Sequence, residues 1–455
     1  MRGGLSGAGR YVRLLFTAPD IRRKILITFA ILVIYRFVAH IPVPGVNRDV
    51  ITGLVEQGGA AGTLVGLIDL MSGGTLLNFS VLAMGVYPYI TAQIILQLLL
   101  PVIPSLQKRM EEDPREGRKW MQRWTYYLAV PMAALTAIGQ INIFSTLGGA
   151  PVIRDFGFGA GQLLPSVTII FSMTAGTMFA IWLGELISEY GIRNQGLSLI
   201  IFAGIISRIP GNFISLLQTE VRGWTAIALI ALIMILTIFV IVYVQQGRRN
   251  VPVMYPGRRM GNRMSMPVKG TLPLMVNMSG MIPLIFANAI LQLPSILATF
   301  FANSETEWAA SLAGATTRFF DPTGTWYWVL YFLMVVAFAF FYTDVLFAQQ
   351  NYGENLKRVG AQIPGVSRGA PTQRYLTSVL RRITLPGAVF LGAIAVLPFV
   401  VTRLIPFLSA AGTQSGLFLV SSSGLLIVVG TVRETFFIID AELKLHGYEE
   451  SLLVR

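Results

Sequence analysis

Ten apolar runs, each bounded by charge or by clusters of Pro and Gly, constrain this chain more than any motif in it. They lie near 25–40, 75–100, 124–143, 165–187, 195–217, 224–244, 273–298, 326–348, 382–402 and 413–433. Runs of roughly 20 apolar residues match a hydrocarbon core of about 30 Å. The fold class that follows is an all-α polytopic membrane protein with ten transmembrane helices. Composition agrees: 54% of residues are hydrophobic, 13% are charged, and the mean hydropathy is +0.65.

Charge orients the spans. With ten crossings, both termini share one side. By position, 28 Lys and Arg fall on that side and 6 opposite, with Arg36 near the end of the first span. Such a bias predicts cytoplasmic termini and an inner (plasma) membrane protein of multi-pass type. Residues 1–24 are basic and lead into an apolar run without a small-residue cleavage site, so no cleavable signal is expected. Ten divides as five plus five, and halves with an odd number of spans are inverted relative to one another. The expected domains are an N-terminal half, 1–217, and a C-terminal half, 218–455, around a central pore.

The stretch 58–101 is unlike the others. A short apolar piece is broken at Ser72-Gly73-Gly74, and a full apolar span follows. Nine residues of helix rise about 14 Å, half of the hydrocarbon core. Such a half-helix is tolerated only inside protein or beside water, and it carries Asp69. It is a candidate plug, gate or substrate-site element.

Chemistry is sparse. The chain has no cysteine, which excludes disulfides and thiolate metal sites. His40 and His446 are distant and read as solvated or interfacial. No nucleotide-binding loop, nucleophile–base spacing or acidic metal cluster appears, so neither an enzyme nor a cofactor is expected. Glu185 and Asp344 fall near span ends rather than at midplane, which argues against an ion-coupled transporter. A facilitator of neutral solutes and a scaffold without a path remain as rivals. What is left is a path lined by apolar side chains. Ile90 and Ile94 share one face of the second span, with Gln93 and Gln97 on another. A hydrophobic constriction that gates by dewetting is physically available.

Two connections stand out by length and charge. The loops 245–272 and 349–381 hold Arg248, Arg249, Arg258, Arg259 and Arg263, then Lys357, Arg358, Arg368 and Arg374. Anionic lipid explains the sign of the charge. Their length, well beyond a helix connection, suits docking to ribosomal RNA or an acidic protein surface.

The sequence resembles the SecY family, the central subunits of the Sec protein-conducting channel, along its whole length. The carriers are YRFVAHIPVPGV, GLIDLMSGGTLLNFSVLAMGVYPYITAQIILQLL, NQGLSLIIFAGI, VNMSGMIPLIFA, NLKRVGAQIPG and TVRETFFIIDAELKLHGYEE, in that order. The resemblance implies translocation of unfolded polypeptides and lateral release of hydrophobic segments into the bilayer. It implies a constriction ring at Ile90, Ile94, Leu197, Ile201, Met281, Ile285 and Ile427. It implies a short re-entrant plug helix formed by Thr63, Leu64, Val65, Gly66, Leu67, Ile68, Asp69, Leu70, Met71 and Ser72. It places a lateral gate between spans two and three and spans seven and eight, with Gln93, Asn277 and Asn288 on the gate spans. The implied partners are SecE and SecG-like subunits, the SecA motor, the ribosome, signal peptides and nascent chains, and the lipid bilayer. In the fifth cytoplasmic loop Ser367 stands where the family carries an Arg, and Arg368 follows it.

Overall fold

The computed structural model describes residues 18–47, 79–100, 103, 106, 114–148, 151–153, 156–157, 159, 162–218, 223–256, 259–260, 263–264, 268–301, 307–320, 324–404 and 422–445. Twelve helices and four short strands follow in order among them. They are α1 Pro19–Val38, α2 Tyr87–Leu99, α3 Pro114–Gly148, α4 Leu163–Tyr190, α5 Gly196–Gln218 and α6 Gly223–Gln246. Then come β1 Arg248–Tyr255, β2 Arg259–Met260, β3 Arg263–Met264 and β4 Val268–Met275. The chain continues with α7 Ile282–Phe301, α8 Glu307–Phe319, α9 Thr325–Gln350, α10 Tyr352–Arg358, α11 Ala370–Leu404 and α12 Ser422–Leu445. The plug residues 63–72 and Arg258 lie outside the described residues.

A helix overlaps each of the ten apolar runs. Among the described residues, five helical stretches are long and apolar enough to cross a membrane: Lys119–Ser145, Leu163–Tyr190, Ala228–Gln246, Thr325–Arg358 and Ala370–Val401. Their outward faces are apolar, as lipid requires: Phe171, Phe239 and Leu236 are exposed on α4 and α6. Local chemistry fixes several ends. Pro19 opens α1 with Asp20 in its first turn, where the helix dipole favours a proline and an acid. Asn351, left-handed at φ 41°, ends α9 and starts α10.

Four boundaries differ from hydropathy. Residues 79–86 are turns, not helix, so α2 begins at Tyr87 rather than near 75. Phe79 at φ 40° and Gly85 at φ 53° take the chain through that corner. Likewise α7 begins at Ile282 rather than near 273, after a turn containing Gly280 at φ 62°. The helix α11 starts at Ala370, 12 residues before its apolar run. Finally, α12 continues through charged Arg433 and Glu434 to Leu445, where the sequence reads as a cytoplasmic tail.

Packing follows chain order with two closures. On one side α2 and α3 meet α7, which leans on α9; on the other α5 meets α6 and α12. Among the described residues, one end of the first helices is tied by backbone pairing of the IPVPG segment. Val43 N–H donates to Phe79 O (3.0 Å), Val81 N–H to Ile41 O (3.0 Å) and Asn47 N–H to Val152 O (2.8 Å). Beneath it Phe79 packs edge-on to Phe144 at 5.9 Å, within a core that includes Val43, Met84, Ile141 and Met173.

Candidate functional site

A cavity of about 770 Å³ opens between these helices. Five of the seven ring candidates line it: Ile90 from α2, Leu197 and Ile201 from α5, Met281 from the turn before α7, and Ile285 from α7 itself. Spacing explains the pairs: residues four apart share one face, so Leu197 and Ile201 point the same way. Ile427 on α12 packs against the cluster that holds Ile201 and Ile205. Ile94 is placed differently, buried at 3% exposure between helices rather than facing the opening.

Polar residues line it too. Gln93, Gln97, Gln122, Glu185, Ser188 and Glu434 are among them, and among the described residues no lysine or arginine does. Gln122 donates to Glu185 Oε1 at 2.8 Å, and Gln195 donates to Glu434 Oε2 at 3.2 Å. Aliphatic and polar side chains therefore share one cavity. Aliphatic side chains bind nothing by direction and can close a path by excluding water. Among the described residues no group of three or more His, Asp or Glu is placed to hold a metal.

Beside the cavity, α2 and α3 meet α7 and α9 along a seam. Its core is Tyr87 and Ile94 against Phe286, Ala289 and Tyr342, with Ile90, Ile282 and Phe338 packed around it. Phe286 stands edge-on to Tyr342 at 5.6 Å and to Phe338 at 6.0 Å. Of the gate candidates, Gln93 faces the cavity and Asn288 is buried on α7. Asn277 serves its own turn: its Nδ2 donates to Gly280 O (3.1 Å), and Ser279 Oγ donates to its Oδ1 (3.1 Å). Gln97 is placed as a polar neighbour of Tyr342 across the seam. The glutamine is visible in the sequence; its neighbour, some 245 residues on, is not.

The two basic loops fold into one body. β1 and β4 form an antiparallel ribbon from Arg248↔Met275 to Tyr255↔Val268, continued by Arg259↔Met264 and Met260↔Arg263. Met254 N–H donates to Gln362 O (2.8 Å) and Gln362 N–H to Met254 O (2.9 Å), joining the ribbon to the second loop. Val251, Val253 and Leu274 bury against Phe347, Leu356, Ile363, Leu376 and Leu380. Arg248, Arg249, Lys357, Arg358, Arg368 and Arg374 stay exposed on this body. Glu354 pairs with Lys357 at 3.9 Å and Arg358 at 3.8 Å, loose contacts that leave both cations in water. In Tyr352, beside Phe347, partial burial raises the phenol pKa above its ordinary value.

Known proteins bear on these features directly. The SecY family model matches residues 80–436. A relative from Streptomyces galbus, named protein translocase subunit SecY, is 36% identical over 442 residues, covering 95% of this chain and 97% of its own. One of the same name from Mycobacterium bovis is 37% identical over 444 residues, covering 94% of this chain and 96% of its own. A solved structure described as a protein conducting channel superposes with TM-score 0.62 at 17% identity, over 95% of each chain. A second, described by a SecY plug domain that maintains a membrane seal, gives TM-score 0.60 at 18% identity over 95% of each chain.

Proposed function

The chain belongs to the SecY family, and we propose that it is a protein-conducting channel that moves unfolded polypeptides across a membrane and releases hydrophobic segments sideways. One observation carries this reading above the rest. Ile90, Leu197, Ile201, Met281 and Ile285, far apart in sequence, converge on one cavity that polar side chains also line. Aliphatic side chains there close around many polypeptide sequences without binding any, and expel water when the path is empty.

In this reading ten spans form two inverted halves, 1–217 and 218–455, with Ile427 completing the seal around the cavity residues and Ile94 backing it from within the seam. Support for the inversion comes from the second and seventh helices, which both start late after a positive-φ glycine, Gly85 and Gly280. Residues 63–72 form the plug. Their base supports that role, because 79–86 is pinned to IPVPG and to Phe144, so a segment hung from it has a fixed point of attachment.

The seam of α2 and α3 against α7 and α9 is the lateral gate. Each segment in the channel then compares water with lipid. Ten Leu-like residues favour lipid by about 3–6 kcal/mol, and one or two central charges cancel that. Direction comes from outside, from a motor such as SecA or from the ribosome, docking on the exposed arginines of the fused cytoplasmic body. SecE and SecG-like subunits complete the assembly in the plasma membrane, with both termini cytoplasmic.

Deleting 63–72 and recording single channels in planar bilayers tests the reading. The expected outcome is protein export retained and resting ion conductance raised by about tenfold or more. A scaffold without a path gives no conductance after the deletion, and that result removes the channel.

A further inference from the structure

An arginine inside a membrane span needs a reason, because an unpaired charge is costly there. Arg36, in the last turn of α1, is half-buried and reaches across to α5. Its Nη2 donates to two carbonyls in succession, Ala203 O at 3.0 Å and Gly204 O at 2.8 Å. Both lie within a helix, where a carbonyl oxygen keeps a second lone pair available for such a donor. We propose that Arg36 is a positioning residue for the seal, fixing the height of the turn of α5 that carries Leu197 and Ile201. The proposal rests on reading those two residues as members of the constriction ring.

The other end of the same stretch is also held. Gly196 N–H donates to Ser188 Oγ at 3.1 Å, and a Cβ on Gly196 would overlap the Gly184 carbonyl of α4. From Gly196 to Gly204 the helix rises about 12 Å, and Leu197 and Ile201 fall between the two fixed points. Around them, Ile31, Leu199, Ile200 and Ile205 pack through apolar side chains, and apolar packing alone would tolerate sliding along the helix axis. A guanidinium donating to two adjacent carbonyls does not tolerate it, since a shift loses both bonds. A dewetting seal is sensitive to such shifts, because its members must meet at one level.

The test uses the full chain in its membrane assembly, with Arg36→Leu, Arg36→Gln and Arg36→Lys, and Ile201→Gly as a separate probe of the ring. Resting ion leak per folded channel is read in planar bilayers, beside thermal unfolding of the same preparation. The expected leak rises by about tenfold or more in Arg36→Leu and Arg36→Gln, with Arg36→Lys intermediate. Lowered thermal stability with leak at the parental level overturns the proposal, because that is the mark of a merely structural contact. Where Arg36→Leu does not assemble, the uncharged but polar Arg36→Gln decides by the same criterion. A leaky Ile201→Gly beside a tight Arg36→Gln overturns the role of Arg36 and keeps the ring. A tight Ile201→Gly removes the ring reading, and the proposal falls with it.

Discussion

The two halves of the chain meet along two lines that are built from different interactions. Where α2 and α3 face α7 and α9, the contact is a row of rings and aliphatic chains centred on Phe286, with Gln97 and Tyr342 as polar neighbours. Where α12 meets the first half, apolar packing of Ile439 and Leu443 is reinforced by charged, directional contacts. Lys24 Nζ lies 2.7 Å from Glu442 Oε1, Arg193 lies 3.7 Å from the same carboxylate, and Gln195 donates to Glu434. On its other flank α12 accepts a place beside α6, where Arg433 donates to Gln245 O at 2.7 Å. Apolar contacts can part and re-form at little cost when lipid or a hydrophobic segment takes their place. Charge-assisted hydrogen bonds cannot, because each donor needs its acceptor at one distance and angle. The first line is suited to opening and the second to staying shut, so the molecule is expected to hinge near α12 and open at the seam.

Locking the seam is the strongest way to break this contrast. The chain has no cysteine, so Ile94→Cys with Ala289→Cys gives a single possible disulfide. On oxidation, protein export is expected to fall to background and to return on reduction. Full export after complete cross-linking would sink the gate. A weaker effect comes from loosening the seam. Phe286→Ala removes two edge-to-face contacts worth about 0.5–1.5 kcal/mol each. The open fraction in bilayer recordings should rise by roughly tenfold, about 1.4 kcal/mol; an unchanged fraction means Phe286 does not hold the seam. The smallest effect is expected on the hinge line. Glu442→Gln keeps the shape and loses the charge, costing about 0.5–1 kcal/mol because the pair is only partly buried. Thermal unfolding should show a lowered midpoint, with the difference from the parent shrinking at high salt. A gating change larger than that of Phe286→Ala would reverse the assignment of hinge and gate.

Several of these features are legible in the sequence and others are not. Apolar runs locate ten helices because lipid and packed protein both require apolar faces, and a 20-residue run has few other uses. The facing of Leu197 and Ile201 follows from helical spacing alone. Hydropathy fails where apolar residues are not helical. Residues 79–86 are as apolar as the helix after them, yet Phe79 and Val81 pair with Val43 and Ile41 and the remainder closes into turns bonded three residues back. It fails again at α12, where charges that look like a tail are paired with Lys24 and Gln195 from the other half of the chain.

By itself, then, the sequence determined that this chain lives in a membrane, roughly where its helices run, and which loops are basic. Those properties follow from local composition, since each residue's transfer between water and lipid depends little on its distant neighbours. Tertiary structure decided the rest. It set Ile94 in the seam rather than beside the opening, gave Gln97 its neighbour Tyr342, and fused two basic loops through Met254 and Gln362. It also turned Arg36 from an unexplained intramembrane charge into a bridge to Ala203 and Gly204. Each of these joins residues tens to hundreds of positions apart, and no local pattern encodes which distant group a side chain will meet.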